Sequence, residues 1–273
     1  EGVTIDCSGA AGTVTITGGY DGFIFGSGTG YVLKGFTIGS SSISVHTGVS
    51  DVTLGGAGAG EGLVLSAGGI TIQGSDVDVV NVSTVPGFNL SGTAIDVLSV
   101  ASNINLGSTT AGGGLTLTSS GGSPIVIDGD NVTVVNSDLT YNGDNLYPSI
   151  DIGASADGVT IGGSSSNARN VLGGTYMMPA IISEGSNVTI AGNYIGNNAG
   201  GTSADANYSG IRVQGGSNIT IGGASSAHGN VISGNSNDGI DVLTGVSSVT
   251  IQNNIIGLNA SGDAAIANGV DAI

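Results

Sequence analysis

The chain has 273 residues, 53 of them glycine and only 8% charged, and its formal net charge is −17. Nucleic acid and anionic lipid both need basic surfaces, so we expect neither as a partner, and no apolar run is long enough to span a membrane. Glycine disfavours helices, whereas the recurrent Val, Ile and Thr favour strands, so the composition predicts an all-β protein.

The chain starts in a strand pattern, Val3-Thr4-Ile5, with no initiator methionine. We therefore expect that a leader has been removed and that the protein is extracellular or on the cell surface. The one cysteine, Cys7, excludes an intrachain disulfide. We interpret it as a small core residue, with a reactive or intermolecular thiol as the alternative.

Short apolar runs recur along the whole chain at intervals of 20 to 31 residues, and each repeating unit holds three of them. The first runs begin near residues 23, 43, 70, 94, 125, 150, 181, 211, 240 and 270. A fixed period of this size is typical of a solenoid. Three strands per unit without a helix predict a single-stranded right-handed parallel β-helix of about ten turns, forming one domain over residues 1–273. At one strand spacing per turn, the rod would be about 45 Å long.

Side chains alternate between the two faces of a strand, so Ile211 and Val213 should point into the coil and Arg212 outward. The same outward position in successive first strands reads Asp96, Val126, Asp151, Ile182, Arg212, Asp241 and Asp271. Carboxylates beside a basic residue on an exposed sheet face could perform acid–base chemistry, which makes Arg212, Asp241 and Asp271 the catalytic candidates. The alternative is that Arg212 only offsets repulsion between carboxylates.

An acidic stretch, Asp128-Gly129-Asp130, is followed by Asp138 and Asp144. These four aspartates are candidate calcium ligands, although only the beginning of a calcium-binding loop is present. A turn between two strands explains the same residues, since Gly and Asp are common in turns. We expect no other cofactor.

Two polar columns mark the later turns. The first is an outward threonine column on five second strands: Thr133, Thr160, Thr189, Thr220 and Thr250. A flat threonine rank resembles an ice-binding face, but cross-strand threonine pairs also stabilise ordinary sheets. The second is an asparagine before the third strand of each turn, which predicts a hydrogen-bonded ladder of Asn170, Asn193, Asn230 and Asn254.

A 60-residue super-repeat is superimposed on these turns. Val159-Thr160-Ile161-Gly162-Gly163 recurs as Ile219-Thr220-Ile221-Gly222-Gly223, and Arg169-Asn170-Val171 recurs as Gly229-Asn230-Val231. With these motifs the chain resembles the parallel β-helix repeats of very large bacterial secreted and surface proteins, clearly over residues 158–273 and by pattern alone before them. The resemblance implies a scaffold or adhesive stalk and brings no catalytic residue with it. The fold class also includes pectate lyases and polygalacturonases.

We therefore expect a structural or adhesive extracellular rod. Its strands run to both ends without a polar capping segment, so we expect head-to-tail self-association into a fibre or surface layer, with a fragment of a longer solenoid as the alternative. Polysaccharide and divalent cations are further candidate partners. The alternative functions are a polysaccharide lyase, a glycoside hydrolase or a carbohydrate-binding module, and, third, an ice-binding protein.

Overall fold

The computed structural model describes residues 4–6, 15–16, 21–39, 42–85, 90–142 and 146–273. Within these ranges the chain forms 29 short strands, two one-turn 3-10 helices and no α-helix. None of the described helices has the length and apolar character needed to cross a membrane. Cys7 and Asp144 lie outside the described residues.

The strands are two to seven residues long and follow one another with short turns. In chain order they are β1 (Thr4–Asp6), β2 (Thr15–Ile16), β3 (Asp21–Phe25), β4 (Gly28–Lys34), β5 (Phe36–Ile38), β6 (Ser42–Val45), β7 (Val49–Gly55), β8 (Leu63–Leu65), β9 (Ile70–Ile72), β10 (Ser75–Val80), β11 (Val82–Thr84), β12 (Ile95–Val97), β13 (Ser102–Leu106), β14 (Leu115–Ser119), β15 (Ile125–Ile127), β16 (Asp130–Val134), β17 (Ser137–Tyr141), β18 (Ile150–Ile152), β19 (Thr160–Gly162), β20 (Val171–Gly173), β21 (Ile181–Ser183), β22 (Thr189–Ala191), β23 (Tyr194–Ile195), β24 (Ile211–Val213), β25 (Ser217–Gly222), β26 (Val231–Ile232), β27 (Ile240–Val242), β28 (Ser247–Gln252) and β29 (Ile255–Ile256).

Every third strand joins the same sheet. Sheet A contains ten strands from β1 and β4 to β28, sheet B ten strands from β2 and β5 to β29, and sheet C nine strands from β3 and β6 to β27. Each strand pairs in parallel with the strand one turn before and one turn after it, as in Ile125 with Ile95 and with Ile150. The all-β parallel β-helix predicted from the sequence is therefore confirmed.

The number of regular turns is smaller than expected. Strands β6 to β29 make eight successive turns of three strands each. The tenth first strand, expected at Val270, is not a strand, although the carbonyls of Asp271 and Ala272 still accept hydrogen bonds from Gly239 and Ile240. No following strand bonds to residues 269–273, so the ladder pattern that defines a strand is incomplete there.

The core is a set of aliphatic columns that run the length of the coil. In β12, β15 and β18 the first and third residues are fully buried and the middle residue is half-exposed. Each buried side chain lies on its equivalent one turn away, because the register of the parallel strands is unshifted. Burial of this apolar surface stabilises the coil by about 25 cal/mol per Å².

Entry into sheet A requires a left-handed residue in almost every turn. Positive φ values between 52° and 59° occur at Asp51, Asp76, Asn103, Asn131, Asn187, Asn218 and Ser248, and Gly158 (φ 74°) occupies the same place in its turn. Asn, Asp and Gly tolerate this conformation better than other residues. This backbone requirement explains why such a residue precedes the first buried Val or Ile of each sheet A strand.

The super-repeat has a structural counterpart in the turns. The 3-10 helices Ser166–Ala168 and Ser226–His228 lie 60 residues apart, each between sheet A and sheet B. Two longer loops after sheet B, closed by the antiparallel bridges Asn197–Ala204 and Leu258–Ala265, are also equivalent. Long connections thus alternate between two corners of the coil in successive turns.

The aliphatic columns predict a sharp contrast between neighbouring positions of one strand. Leu117→Ala removes a fully buried side chain from β14 and should lower the free energy of unfolding by about 2–5 kcal/mol. Thr116→Ala, on the exposed face of the same strand, should change it by about 0.5 kcal/mol or less. Urea denaturation followed by circular dichroism measures both values, and equal losses would contradict the assigned facing of β14.

Candidate functional site

The four asparagines singled out in the sequence lie directly above one another at the entry to sheet B. Each side-chain amide donates to the Oδ1 atom of the next, with N–O distances of 2.9, 3.0 and 2.9 Å along Asn170, Asn193, Asn230 and Asn254. Each amide also donates to a backbone carbonyl, as in Asn193 to Ile161 at 2.9 Å. The first three are fully buried, so this ladder is an internal structural element.

A second asparagine ladder, which sequence reasoning missed, lies at the exit from sheet B. Asn207 donates to Asn235 at 3.1 Å and Asn235 to Asn268 at 3.0 Å, while Thr175 donates to Asn207 at 2.8 Å. The only signal in the sequence is an isolated Asn in loops of very different length. Without a constant spacing, these residues could not be aligned in advance.

The threonine column stands in the expected register on the outer face of sheet A. Thr133 pairs with Thr160, and the pairing continues through Thr189, Thr220 and Thr250. The same column continues in the other direction as Asn105 and Asp78. The threonines form one file, flanked on one side by the left-handed Asn and Asp residues, rather than a broad threonine surface.

The outward column of sheet C also has the expected register, including Arg212 beside Asp241. The Nε atom of Arg212 donates to Oδ2 of Asp241 at 2.9 Å, and both side chains are about three-quarters buried. Asp271 lies near them in a shallow cleft that also contains Asp238, whose Oδ1 accepts the Asp271 backbone N–H. Arg212 therefore neutralises one of the two candidate carboxylates.

The structure does not bring the calcium candidates together. Asp128 follows β15 on the sheet C side, Asp130 begins β16 in sheet A, and Asp138 lies on the outer face of sheet B. Across the described residues, no three His, Cys, Asp or Glu side chains converge in a way that could hold a metal ion. Asp130 instead accepts the backbone N–H of Asp157 one turn away.

A groove on the outer face of sheet C combines carboxylates with apolar side chains. We call it the acidic groove; its volume is about 370 Å³, and it is lined by Val126, Asp128, Leu146, Tyr147, Pro148, Asp151, Gly153, Met178, Ile182, Glu184 and Gln214. Val126, Asp151 and Ile182 form its floor as successive outward residues of β15, β18 and β21. The parallel register thus places Asp151 between two aliphatic neighbours.

One side of the acidic groove is a second column, just beyond the ends of the sheet C strands. It reads Asp128, Gly153, Glu184 and Gln214. A side chain at Gly153 would place its Cβ 1.9 Å from Oδ1 of Asp128, so glycine leaves the space that the Asp128 carboxylate occupies. Glu184 accepts a hydrogen bond of 2.7 Å from Gln214.

The opposite side of the groove comes from the segments that connect sheet B to sheet C. Leu146 is 61% exposed and Tyr147 39% exposed, and Met178 comes from the same corner one turn later. The Tyr147 ring packs edge-to-face on the buried Tyr141, with centroids 5.9 Å apart. An apolar wall that faces solvent is unusual on a surface this polar.

Electrostatics inside the groove disfavour negative charge. Burial raises the pKa of Asp151, and the neighbouring Glu184 and Asp128 raise it further. Burial likewise raises the pKa of Asp96, with a contribution from Asp128. No opposite charge among the described residues contributes to either shift, so the groove is an uncompensated anionic site.

A second cleft, on the outer face of sheet B, contains Asp138 and Arg169. Burial raises the pKa of Asp138, and Asp205 adds to this effect. The Arg169 guanidinium lies 4.0 Å from the centre of the Tyr194 ring, and its Nε donates to the carbonyl of Gly192. Arg169 is therefore held by the loop layer, and its equivalent in the next super-repeat is Gly229.

With this geometry established, comparison of the chain with known protein families, with curated proteins and with solved structures finds no match in any of the three.

The buried asparagine ladder predicts a large effect from one substitution. Asn193→Ala removes the donor to Ile161 and Asn230 and the acceptor for Asn170, leaving buried polar groups unpaired. We expect a loss of about 2–4 kcal/mol in the free energy of unfolding. Asn105→Ala, at an exposed residue that donates to Asp78, should cost less than about 1 kcal/mol. Similar urea midpoints for the two variants would contradict a structural role for the ladder.

The raised carboxyl pKa values predict that mild acid stabilises the protein. Between the ordinary Asp pKa of 3.8 and the raised values of Asp96, Asp138 and Asp151, the folded chain binds more protons than the unfolded chain. The free energy of unfolding should therefore fall as the pH rises through this window and be larger below neutrality.

Asp151→Asn tests this effect directly. The variant should be more stable than the wild type at neutral pH and should show a shallower dependence of the urea midpoint on pH. Asp51→Asn removes the same charge from an exposed position whose φ of 55° suits asparagine. An equal response in both variants would assign the effect to net charge rather than to the groove.

Proposed function

We propose that the chain is a structural and adhesive rod of secreted or cell-surface type, similar in role to the bacterial β-helix repeat proteins that its motifs resemble. The observation that carries this proposal is the continuity of the stacking. Three parallel sheets run along the described coil, and two asparagine ladders reinforce both ends of its sheet B strands. Such a coil resists local opening because each turn is hydrogen-bonded to two others.

The distribution of basic residues supports an extracellular setting. The chain has only three Lys and Arg residues. Lys34 is paired with Asp6 and Glu61, Arg212 with Asp241, and Arg169 lies over the Tyr194 ring. Proteases that cleave after basic residues would therefore find few sites, and all three lie in ordered structure.

Self-association end to end is the proposed mode of assembly. The strands β27, β28 and β29 form the last turn, and their apolar residues are partly exposed, including Val242, Val249 and Ile251. A further turn in the same register would cover these residues and continue the backbone ladders. A second copy of the chain could supply that turn through a heterologous contact, which extends into a filament when it does not close.

A polysaccharide-active enzyme is less well supported. Its candidate acid Asp241 is held by Arg212, and the cleft beside it contains carboxylates but no aromatic side chain. For ice binding, the threonine column is a single file that continues into Asn105 and Asp78. Neither arrangement favours its function over the rod.

Electron microscopy of the purified chain at neutral pH tests the assembly. We expect filaments with an axial repeat close to the rod length of about 45 Å. Val270→Asp places a charge near the last turn and should abolish them, whereas Val100→Asp, at a similarly exposed residue on the side of the coil, should not. Dispersed short rods at all concentrations would contradict end-to-end assembly. Dissolution by a calcium chelator would assign the contact to metal bridging between acidic surfaces.

A further inference from the structure

We propose that the acidic groove binds a basic segment of a partner protein, with Lys or Arg side chains lying against its apolar wall and their charged ends at Asp128, Asp151 and Glu184. This partner chemistry goes beyond the proposed rod, since the groove lies on the side of the coil and needs no filament. The groove combines two features that one ligand must satisfy. Its carboxylates need a cation, and its apolar wall needs an apolar group.

The charge of the groove is not met from within the chain. Three carboxylates line it, and the pKa of Asp151 is raised by burial and by both acidic neighbours. All three basic side chains are engaged elsewhere, by Asp6 and Glu61, by Asp241 and by the Tyr194 ring. A second copy of this chain therefore has no free cation to offer, and the occupant must come from a different molecule.

The apolar side of the groove selects among cationic ligands. Lys and Arg bury their aliphatic stems along apolar surfaces while their charged ends stay in polar surroundings. Met178 and Leu146 provide such a surface, and methionine adapts its shape to different ligands. The Tyr147 ring, fixed by its contact with Tyr141, offers an aromatic side chain for a guanidinium or ammonium group.

The groove also has the direction that an extended ligand needs. Its carboxylates belong to successive turns, because Asp128, Gly153 and Glu184 form one column and Asp151 belongs to the middle turn. The spacing between adjacent turns is about 4.8 Å. A linear segment with several basic residues could therefore contact two or three turns at once, whereas an isolated small cation would use only part of the site.

Binding of a fluorescent twelve-residue peptide of alternating Lys and Gly, followed by anisotropy at low ionic strength, tests the proposal. The double variant Asp151→Asn/Glu184→Gln should weaken binding about tenfold, since two partly exposed charge pairs are lost. Tyr147→Ala should weaken it about threefold. Asp51→Asn, which removes a charge outside the groove, should leave the affinity unchanged, and circular dichroism should show the same fold in all variants.

Three results would overturn the proposal. Equal weakening by Asp51→Asn and by the groove variants would show diffuse attraction to the −17 charge of the chain. Full retention of binding in the double variant would place the peptide elsewhere. Tighter binding of a glucosamine oligomer than of the peptide, with the same sensitivity to Asp151→Asn/Glu184→Gln, would assign the groove to an amino-sugar polymer. These outcomes are independent of whether filaments form.

Discussion

The stacking of each residue on its equivalent one turn away is the constraint on which the rest of this structure depends. Because the parallel register is unshifted, an inward Ile or Val must meet another aliphatic residue above and below it, as Ile125 meets Ile95 and Ile150. The same rule fixes the outer surface, where every column is a row of side chains at strand spacing, about 4.8 Å. Core and surface are therefore specified together, and neither can change at one turn without consequence for two others.

This constraint also explains how the chain carries its charge. Like charges in one column would repel at strand spacing, and the outward column of sheet C avoids this by alternating Asp96, Val126, Asp151 and Ile182 before Arg212 separates Ile182 from Asp241. Asp128 and Glu184 are likewise separated by Gly153. Where carboxylates still gather, in the acidic groove, burial and mutual repulsion raise the pKa of Asp151.

Much of this architecture could be predicted because it is periodic. The three strands per turn, the outward columns and the position of Asn170 and its equivalents all follow from a repeat that is visible in the sequence. The acidic groove could not be predicted in the same way, because Tyr147 and Met178 lie in connections of irregular length. The second asparagine ladder was missed for the same reason, since Asn207, Asn235 and Asn268 occupy loops that do not align. The tenth first strand was wrong because a strand needs a bonded neighbour on its far side to be complete.

The alternation of long connections between two corners gives the outer layer a longer pitch than the core. The loop after β23 contacts the loop after β29, two turns later, through a hydrogen bond from Ala260 to Gly201, and between them the intervening turn is clasped, with Gly234 bonded to Ile266 and packed near Ala204. Inserting one turn would place two bulky loops against each other at the same corner. The smallest unit that evolution or a protein engineer could duplicate is therefore two turns, so that a coil of this kind would grow by modules of about 60 residues.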